Sequence, residues 1–298
     1  PLVSLVLKRL SPKEYELFLR SGIGIEVNEK RFLEGTLIKE NNLTSPNRLF
    51  LTVVAQFNGE KSKLILEWFQ YFNGLSGLND KGYGNFTSEV FLNEQYSDIA
   101  NKVQEFFNDL QLGFSEFSVL EKNIPQNLIK TIPKELKDLI KGNEDKVVMR
   151  DELTTHNIYN QENEKIGTEK FSKDKMESEG TKKVISLSGP IFYTLKNGGI
   201  LIVDELDAKL HPLLTRNIVL LFMDPEKNTN GAQLIFATHD TNLLDLSIIR
   251  RDQIWFAERD NVESTDIYSL VEFKDEEGKK VRNDCDIKCN YIKGRYGA

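Results

Sequence analysis

Gly199-Ile200-Leu201-Ile202-Val203-Asp204-Glu205 is the stretch of sequence that decides the fold. Four consecutive aliphatic residues predict a strand that is buried on both faces, as in a parallel sheet covered by helices. Two carboxylates follow at the carboxyl end of this strand, where ligands bind in open α/β sheets. We expect Asp204 to hold Mg²⁺, directly or through water, and Glu205 to polarise an attacking water as general base. The alternative is a strand that simply ends in a solvated acidic turn.

A second apolar strand ends in polar residues in the same way. Its sequence is Leu234-Ile235-Phe236-Ala237-Thr238-His239-Asp240. If this strand neighbours the first, His239 arrives at the same edge of the sheet as Glu205, where a neutral imidazole can contact a terminal phosphate or the attacking water. The plainer interpretation is an ordinary loop histidine, but the succession of the two strands favours the functional one.

A short polar segment opens the helix before the first strand. Ser178-Glu179-Gly180-Thr181 precedes apolar residues at helical spacing, namely Val184, Leu187, Ile191 and Leu195. Backbone N–H groups at a helix N-terminus favour a phosphate, and Ser178 adds a hydroxyl donor. Taken alone, the segment is only a weak signal for a helix start. Gly189-Pro190 predicts a kink or a break inside this helix.

The loop after the two carboxylates reads Leu206-Asp207-Ala208-Lys209-Leu210-His211-Pro212. Pro212 predicts the start of another helix, because proline is favoured in the first helical turn. The loop is either a connector between strand and helix or a surface that faces a second subunit.

The chain as a whole divides by its sequence pattern into three parts. Residues 1–45 alternate as in a β-meander, residues 46–142 are mainly helical with a third short helix at 133–140, and residues 143–298 alternate helices with apolar strands. The apolar strands of the third part are predicted at 200–203, 234–237, 254–256 and 267–270, and their continuous apolar runs indicate burial on both faces, as in a parallel sheet covered by helices. The predicted fold class is therefore α/β, a largely parallel sheet covered by helices plus a mainly helical insertion.

Composition narrows the function classes. The 298 residues are 39% hydrophobic and 29% charged, with a net charge of -7, which argues against broad phosphate neutralisation on nucleic acid. The helical insertion carries mixed charges rather than a basic stripe, so nucleic-acid contact stays open. No apolar run approaches the ~20 residues of a membrane span. Two cysteines, Cys285 and Cys289, fit a reducing, cytoplasmic compartment better than a structural zinc site, which needs four ligands.

Several of these motifs together carry a resemblance. Five segments follow one another in a specific order and spacing. They are residues 178–181, 200–212 and 238–244, then Arg250-Arg251-Asp252-Gln253-Ile254-Trp255-Phe256, and finally Gly294-Arg295-Tyr296-Gly297. The chain resembles the C-terminal part of ABC-type AAA-family ATPases of bacterial defence operons, the abortive-infection or Rlo-type ATP-binding proteins. The resemblance is clear over residues 146–298 and weaker upstream, at 49–57 and at Trp68-Phe69.

The resemblance implies a role for each matching residue. Asp204 and Glu205 would be the Walker B acids, and His239 the switch histidine. Ser178, Gly180 and Thr181 would form the signature segment that contacts the γ-phosphate held by the other subunit, and Ala208 to His211 the D-loop. The family closes two heads around two nucleotides, so ATP, Mg²⁺ and a homodimer or a higher even assembly are implied, with a protein effector as a further partner.

One family motif is missing from the sequence. A P-loop reads G-x4-G-K-[ST], and the nearest string, Gly59-Glu60-Lys61-Ser62, has the wrong order and is expected to start a helix. Because the chain starts at Pro1, we expect it to be a fragment without its P-loop and to hydrolyse little or no ATP alone. The alternative function is a non-catalytic scaffold that binds a protein partner. A fused C-terminal nuclease is disfavoured, because only about sixty residues follow His239.

Overall fold

The computed structural model describes residues 2–8, 14–21, 24–79, 81–123, 148–259, 261–274 and 286–296. The chain separates into two compact units, Pro1–Asn73 and Gly74–Ala298. The predicted domain boundaries at residues 45 and 142 refer to functional parts of the chain. They differ from the limit between the two compact units, and they stay predictions. The predicted short helix at 133–140 lies outside the described residues. In the part of the chain described above, no helix has both the length and the apolar character needed to cross a membrane.

The first unit is an antiparallel sheet followed by three helices. Its strands are β1 (Leu2–Lys8), β2 (Glu14–Ser21) and β3 (Gly24–Val27), and its helices are α1 (Leu33–Glu40), α2 (Phe50–Gln56) and α3 (Glu60–Phe69). The strands pair in sequence order, β1 with β2 and β2 with β3. The core contains three aromatic rings from different elements, Phe18, Phe32 and Phe50, whose centroids lie 5.0–6.4 Å apart.

The second unit contains the remaining elements. Its strands are β4 (Phe72–Ser76, of which residues from Gly74 on belong here), β5 (Glu116–Asn123), β6 (Val148–Tyr159), β7 (Lys165–Ser172), β8 (Ile200–Asp204), β9 (Gln233–Phe236), β10 (Trp255–Arg259) and β11 (Thr265–Ser269). Its helices are α4 (Lys81–Leu92), α5 (Ser97–Asp109), α6 (Lys173–Met176), α7 (Glu179–Asn197), α8 (Pro212–Met223) and α9 (Ile287–Ile292).

The sheet that carries the predicted site has the order β4-β8-β9. Strands β8 and β9 are parallel and in register from Ile200 opposite Gln233 to Val203 opposite Phe236. Helix α7 packs on β8, and α8 packs on β9. Leu201 and Val203 are at most 1% exposed and join the apolar core of the unit. The predicted α/β class, with helices flanking a parallel sheet, is confirmed.

The two last apolar segments do not extend this sheet, and that part of the prediction is wrong. β10 and β11 form a separate antiparallel hairpin, with Trp255 opposite Ser269. Only residues 260–264 separate the two strands, whereas parallel strands need a crossover of a dozen or more residues. Burial on both faces is also absent here, since Trp255 is 57% exposed and Ile267 is 63% exposed. Ile235 of β9 is likewise half-exposed.

Helix α7 runs without a break through Pro190, although the Gly-Pro pair predicts a kink or a break. Proline has no N–H, so the carbonyl of Ser186 one turn earlier loses its helical donor. The hydroxyl of Thr87 in α4 replaces it, donating to Ser186 O at 2.7 Å and accepting from Gly189 N at 3.1 Å. A Cβ on Gly189 would lie 2.6 Å from that hydroxyl, so the glycine admits the close approach of α4.

Candidate functional site

The predicted acidic pair stands at the carboxyl end of β8. Asp204 is the last residue of the strand and is exposed, and Glu205 follows with a left-handed φ of 52°. Such a φ is uncommon for a residue other than glycine, and Glu205 begins the turn that follows the strand. The Glu205 side chain is 37% exposed and is open to solvent at this edge.

The switch candidate His239 reaches the same edge from β9. Main-chain hydrogen bonds continue the pairing past the strand ends, since Ala237 N donates to Val203 O at 3.0 Å and Leu206 N donates to Ala237 O at 3.0 Å. As a result His239 Nε2 lies 4.0 Å from Glu205 Oε1. This distance is too long for a direct hydrogen bond and leaves both groups able to contact a third one. The imidazole is 83% exposed.

Asp204, Glu205 and His239 line one cavity of about 980 Å³. Its other walls combine apolar side chains, among them Leu234, Phe236 and Trp255, with polar ones such as Asp240 and Arg250. Drug-sized ligands occupy pockets of ~300–1,000 Å³ that combine apolar walls with a few polar groups. The cavity therefore lies within the size range of small-molecule sites and offers both apolar and polar groups.

Asp207, which the sequence reasoning did not select, holds the histidine segment in place. Its Oδ1 accepts from Thr238 Oγ1 at 2.7 Å and from the His239 main-chain N–H at 3.2 Å. Thr238 Oγ1 in turn accepts from Asp240 N at 3.0 Å. The carboxylate thus links the loop after β8 to the loop after β9.

The predicted signature residues form the start of α7. Ser178 is the N-cap, and its Oγ accepts from Thr181 N at 3.1 Å and lies 2.9 Å from Thr181 Oγ1. A hydrogen bond from Lys182, helped by the charge of Lys209, lowers the pKa of the Glu179 carboxyl. A Cβ on Gly180 would lie 2.9 Å from Lys209 O, so the helix start contacts the loop after β8 closely.

Ala208 and His211 lie in that loop, but neither lines the cavity. The Ala208 carbonyl accepts from Lys183 Nζ at 2.6 Å. His211 is exposed and is the N-cap of α8, where its Nδ1 accepts from Leu213 N at 3.3 Å. The structure therefore brings together Asp204, Glu205 and His239 in one group, and the signature and D-loop candidates in a second.

The carboxylates of Asp204 and Glu205 could hold Mg²⁺ only together with further ligands, such as water and phosphate oxygens. Among the described residues, no three histidine, cysteine, aspartate or glutamate side chains converge on a metal position. Mg²⁺ typically takes one or two carboxylates, several waters and substrate phosphates rather than an all-protein cage. An exposed Asp204 beside Glu205 matches that donor set.

The segment most similar to a P-loop, Gly59-Glu60-Lys61-Ser62, begins a helix and is bonded to a carboxylate of the protein. Gly59 precedes α3 as its N-cap, so the string starts a helix as predicted. The carboxylate of Glu34 accepts from Lys61 N at 3.1 Å, from Ser62 N at 2.7 Å and from Ser62 Oγ at 2.6 Å. The amides that a phosphate would need are already bonded to a side chain of the protein.

Comparison with known proteins identifies the class. The family model described as "AAA domain, putative AbiEii toxin, Type IV TA system" matches residues 41–245. The match covers more than half of the chain, so the chain belongs to this family of AAA domains. An AAA domain suggests ATPase activity. All the predicted site residues, from Ser178 to His239, fall inside the matched range. Among curated proteins, no significant match to the chain was found.

Proposed function

We propose that this chain is part of a cytoplasmic ATPase that hydrolyses ATP between two dimerised heads and thereby drives or gates a partner effector in antiphage defence. The observation that carries the proposal is the approach of His239 to Glu205, 4.0 Å apart in a cavity that Asp204 also lines. A carboxylate that can hold Mg²⁺ and a second group that can position the attacking water are two of the parts that nucleotide hydrolysis uses.

In this proposal each of the three residues has its own role. Glu205 orients and polarises the attacking water, and its partial exposure gives water access to the carboxylate. His239 contacts the terminal phosphate or the same water. Asp204 would hold Mg²⁺, which supplies charge stabilisation to the phosphates when it is bound.

The second group of residues supports hydrolysis between two heads. Ser178 and His211 are exposed and lie outside the cavity of Glu205, together with Gly180, Thr181 and Ala208. A helix N-terminus that presents a serine hydroxyl to solvent is suited to contact the γ-phosphate of a nucleotide held by another subunit. The D-loop candidates belong to the loop that contacts this helix start through Lys209, and this arrangement supports a homodimer or a higher even assembly.

The 298 residues do not contain the motif that would bind the phosphates. The sequence contains no G-x4-G-K-[ST], and Glu34 occupies the amides of the nearest string. We therefore propose that a P-loop segment outside the 298 residues completes the site beside Glu205. The role in defence rests on the resemblance and on the family description, whose words name a toxin of a toxin–antitoxin system.

The decisive experiment compares ATP turnover in two proteins. The 298-residue chain alone should show no Mg-dependent turnover, and the natural protein that contains these residues with a P-loop should turn over ATP. Glu205→Gln in the complete protein should abolish turnover while nucleotide binding is retained, and the exposed Glu226→Gln should change neither. Unchanged turnover in Glu205→Gln removes Glu205 from the mechanism. No saturable heat with ATP and Mg²⁺ would favour a non-catalytic scaffold instead.

A further inference from the structure

A buried ammonium lies against the main chain of the loop that carries Glu205. Lys183, the fifth residue of α7, is 1% exposed. Its Nζ donates to three main-chain carbonyl oxygens, Glu205 O at 3.2 Å, Leu206 O at 3.1 Å and Ala208 O at 2.6 Å. A lysine ammonium has three N–H donors, so the three carbonyls match its donors in number.

An apolar residue would be the expected occupant of this position. Lys183 precedes Leu187 by one helical repeat and lies on the same buried face of α7. Taking an ammonium out of water is costly, and its hydrogen bonds have to compensate for that cost. These hydrogen bonds stabilise a loop in which two residues other than glycine have a left-handed backbone conformation. They are Glu205, with a φ of 52°, and Lys209, with a φ of 64°. Such conformations persist only where the surroundings fix them.

The same loop also contacts the first turn of α7. Lys209 Nζ lies 3.5 Å from Glu179 Oε2, and Gly180 faces Lys209 O across a gap that admits no Cβ. Lys183 then extends the contact along the helix to the carbonyl of Glu205. Contacts of Glu179, Gly180 and Lys183 therefore join the beginning of α7 to the loop that carries the candidate general base.

We propose that Lys183 is a positioning residue, which fixes the main chain of Glu205 and makes the loop at 205–209 move together with the start of α7. It acts through Glu205, to whose main-chain carbonyl its ammonium donates a hydrogen bond. Its significance for turnover rests on the proposed function, whereas the bonds to the loop do not depend on any nucleotide.

Hydrogen exchange tests the positioning role on the chain itself. In Lys183→Met, the amides of Leu206, Ala208 and Leu210, which are bonded within and around the loop, should exchange at least about tenfold faster than in the unaltered chain. The exposed Lys196→Met, on the same helix and with the same change of charge, should leave these amides unchanged. Equal protection of the loop in Lys183→Met and in the unaltered chain overturns the proposal.

A measurement without a substitution covers the case in which Lys183→Met does not fold. The ¹⁵N resonance of the Lys183 ammonium, assigned through its proximity to Leu206, should persist near neutral pH because its protons exchange slowly. Exchange as fast as that of exposed lysines such as Lys196 overturns the proposal.

Kinetics of the complete ATPase separate this inference from the proposed function. Lys183→Met should lower kcat about tenfold or more and change KM for ATP by less than about twofold. The reason is that the substitution loosens the loop at 205–209 and leaves the groups that bind the nucleotide unchanged. An unchanged kcat overturns the coupling. If instead Glu205→Gln leaves turnover intact, the proposed function fails, and the hydrogen-exchange result still decides the role of Lys183.

Discussion

Asp207 Oδ1 accepts a hydrogen bond from Thr238 Oγ1 at 2.7 Å, and this contact joins the loops that follow two neighbouring parallel strands. The same oxygen accepts from His239 N at 3.2 Å. The position of the imidazole relative to Glu205 therefore depends on a carboxylate that belongs to neither strand.

The first prediction concerns this carboxylate. Asp207→Ala should lower the free energy of unfolding by about 1–3 kcal/mol, because the substitution removes the acceptor of two hydrogen bonds. In the complete ATPase, turnover should fall as well, since His239 loses its anchor. Asp207→Asn keeps one acceptor oxygen and should lose less. Urea unfolding and turnover measure the two effects.

Asp109→Ala is the matched control for Asp207→Ala. Asp109 is exposed and its carboxylate lies 3.7 Å from Lys227, a surface ion pair that contributes little. An Asp207→Ala protein as stable and as active as Asp109→Ala would contradict the anchoring role.

Much of the site is predictable from local sequence, because it depends on strand ends. Four aliphatic residues before Asp204 and Glu205 indicate a buried strand, and a second such strand ends at His239. Once two strands are parallel and in register, their carboxyl ends meet without any further information. The helix starts at Ser178 and Pro212 also follow from local capping preferences.

The contacts that hold the site together are different, because they join residues far apart in sequence. Asp207 and Thr238 are 31 residues apart, and Lys183 and Ala208 are 25 apart. No local propensity predicts such pairs. The sequence contains one signal for such a contact, namely Lys183, which lies one helical repeat before Leu187 on the apolar face of α7. A charge that is buried on this face requires hydrogen-bond partners. The hairpin at 255–269 departs from the prediction, because apolar runs alone do not reveal the strand direction, whereas the short connection allows only antiparallel pairing.

A second prediction concerns the N-cap of α7. Ser178→Ala should lower stability by about 1 kcal/mol, because the Thr181 N–H loses its acceptor. Ser178→Asp keeps a capping oxygen and should be as stable as the unaltered chain. In the complete ATPase, however, the added negative charge should repel the γ-phosphate and reduce turnover strongly. Thermal unfolding and turnover together separate capping from binding, and an active Ser178→Asp protein would exclude Ser178 from phosphate contact.

A third prediction concerns the close approach of Gly77 to the acidic pair. Gly77 N donates to Asp204 O, and a Cβ on Gly77 would lie 1.9 Å from Glu205 O. Gly77→Ala should destabilise the unit by about 1–3 kcal/mol, because the atoms that a Cβ would meet belong to the main chain of Asp204 and Glu205 and have little room to move. In the complete ATPase, the displaced Glu205 should also lower kcat.

Gly74→Ala provides the control for Gly77→Ala, since no heavy atom lies within 4 Å of a Cβ at that position. Its stability should stay within about 0.5 kcal/mol of the unaltered chain. The steric argument is wrong if the two alanine variants unfold at the same urea concentration.

The last prediction concerns alkaline pH and the hairpin at 255–269. Burial, and then the nearby Glu258 carboxylate, raise the pKa of the Tyr268 phenol above its ordinary value. The phenol donates to the carbonyl of Tyr296, so the neutral form is the one that the fold retains. Because the pKa is raised on folding, this contribution to stability is complete below a pH of about 10 and is lost as the pH rises through the folded-state pKa. The urea midpoint of the unaltered chain should therefore fall more steeply above that pH than the midpoint of Tyr268→Phe.

Tyr71→Phe, at an exposed position, is the control and should keep the steep slope of the unaltered chain. Equal slopes of the urea midpoint against pH in all three proteins would show that Tyr268 does not stabilise the fold through its neutral form.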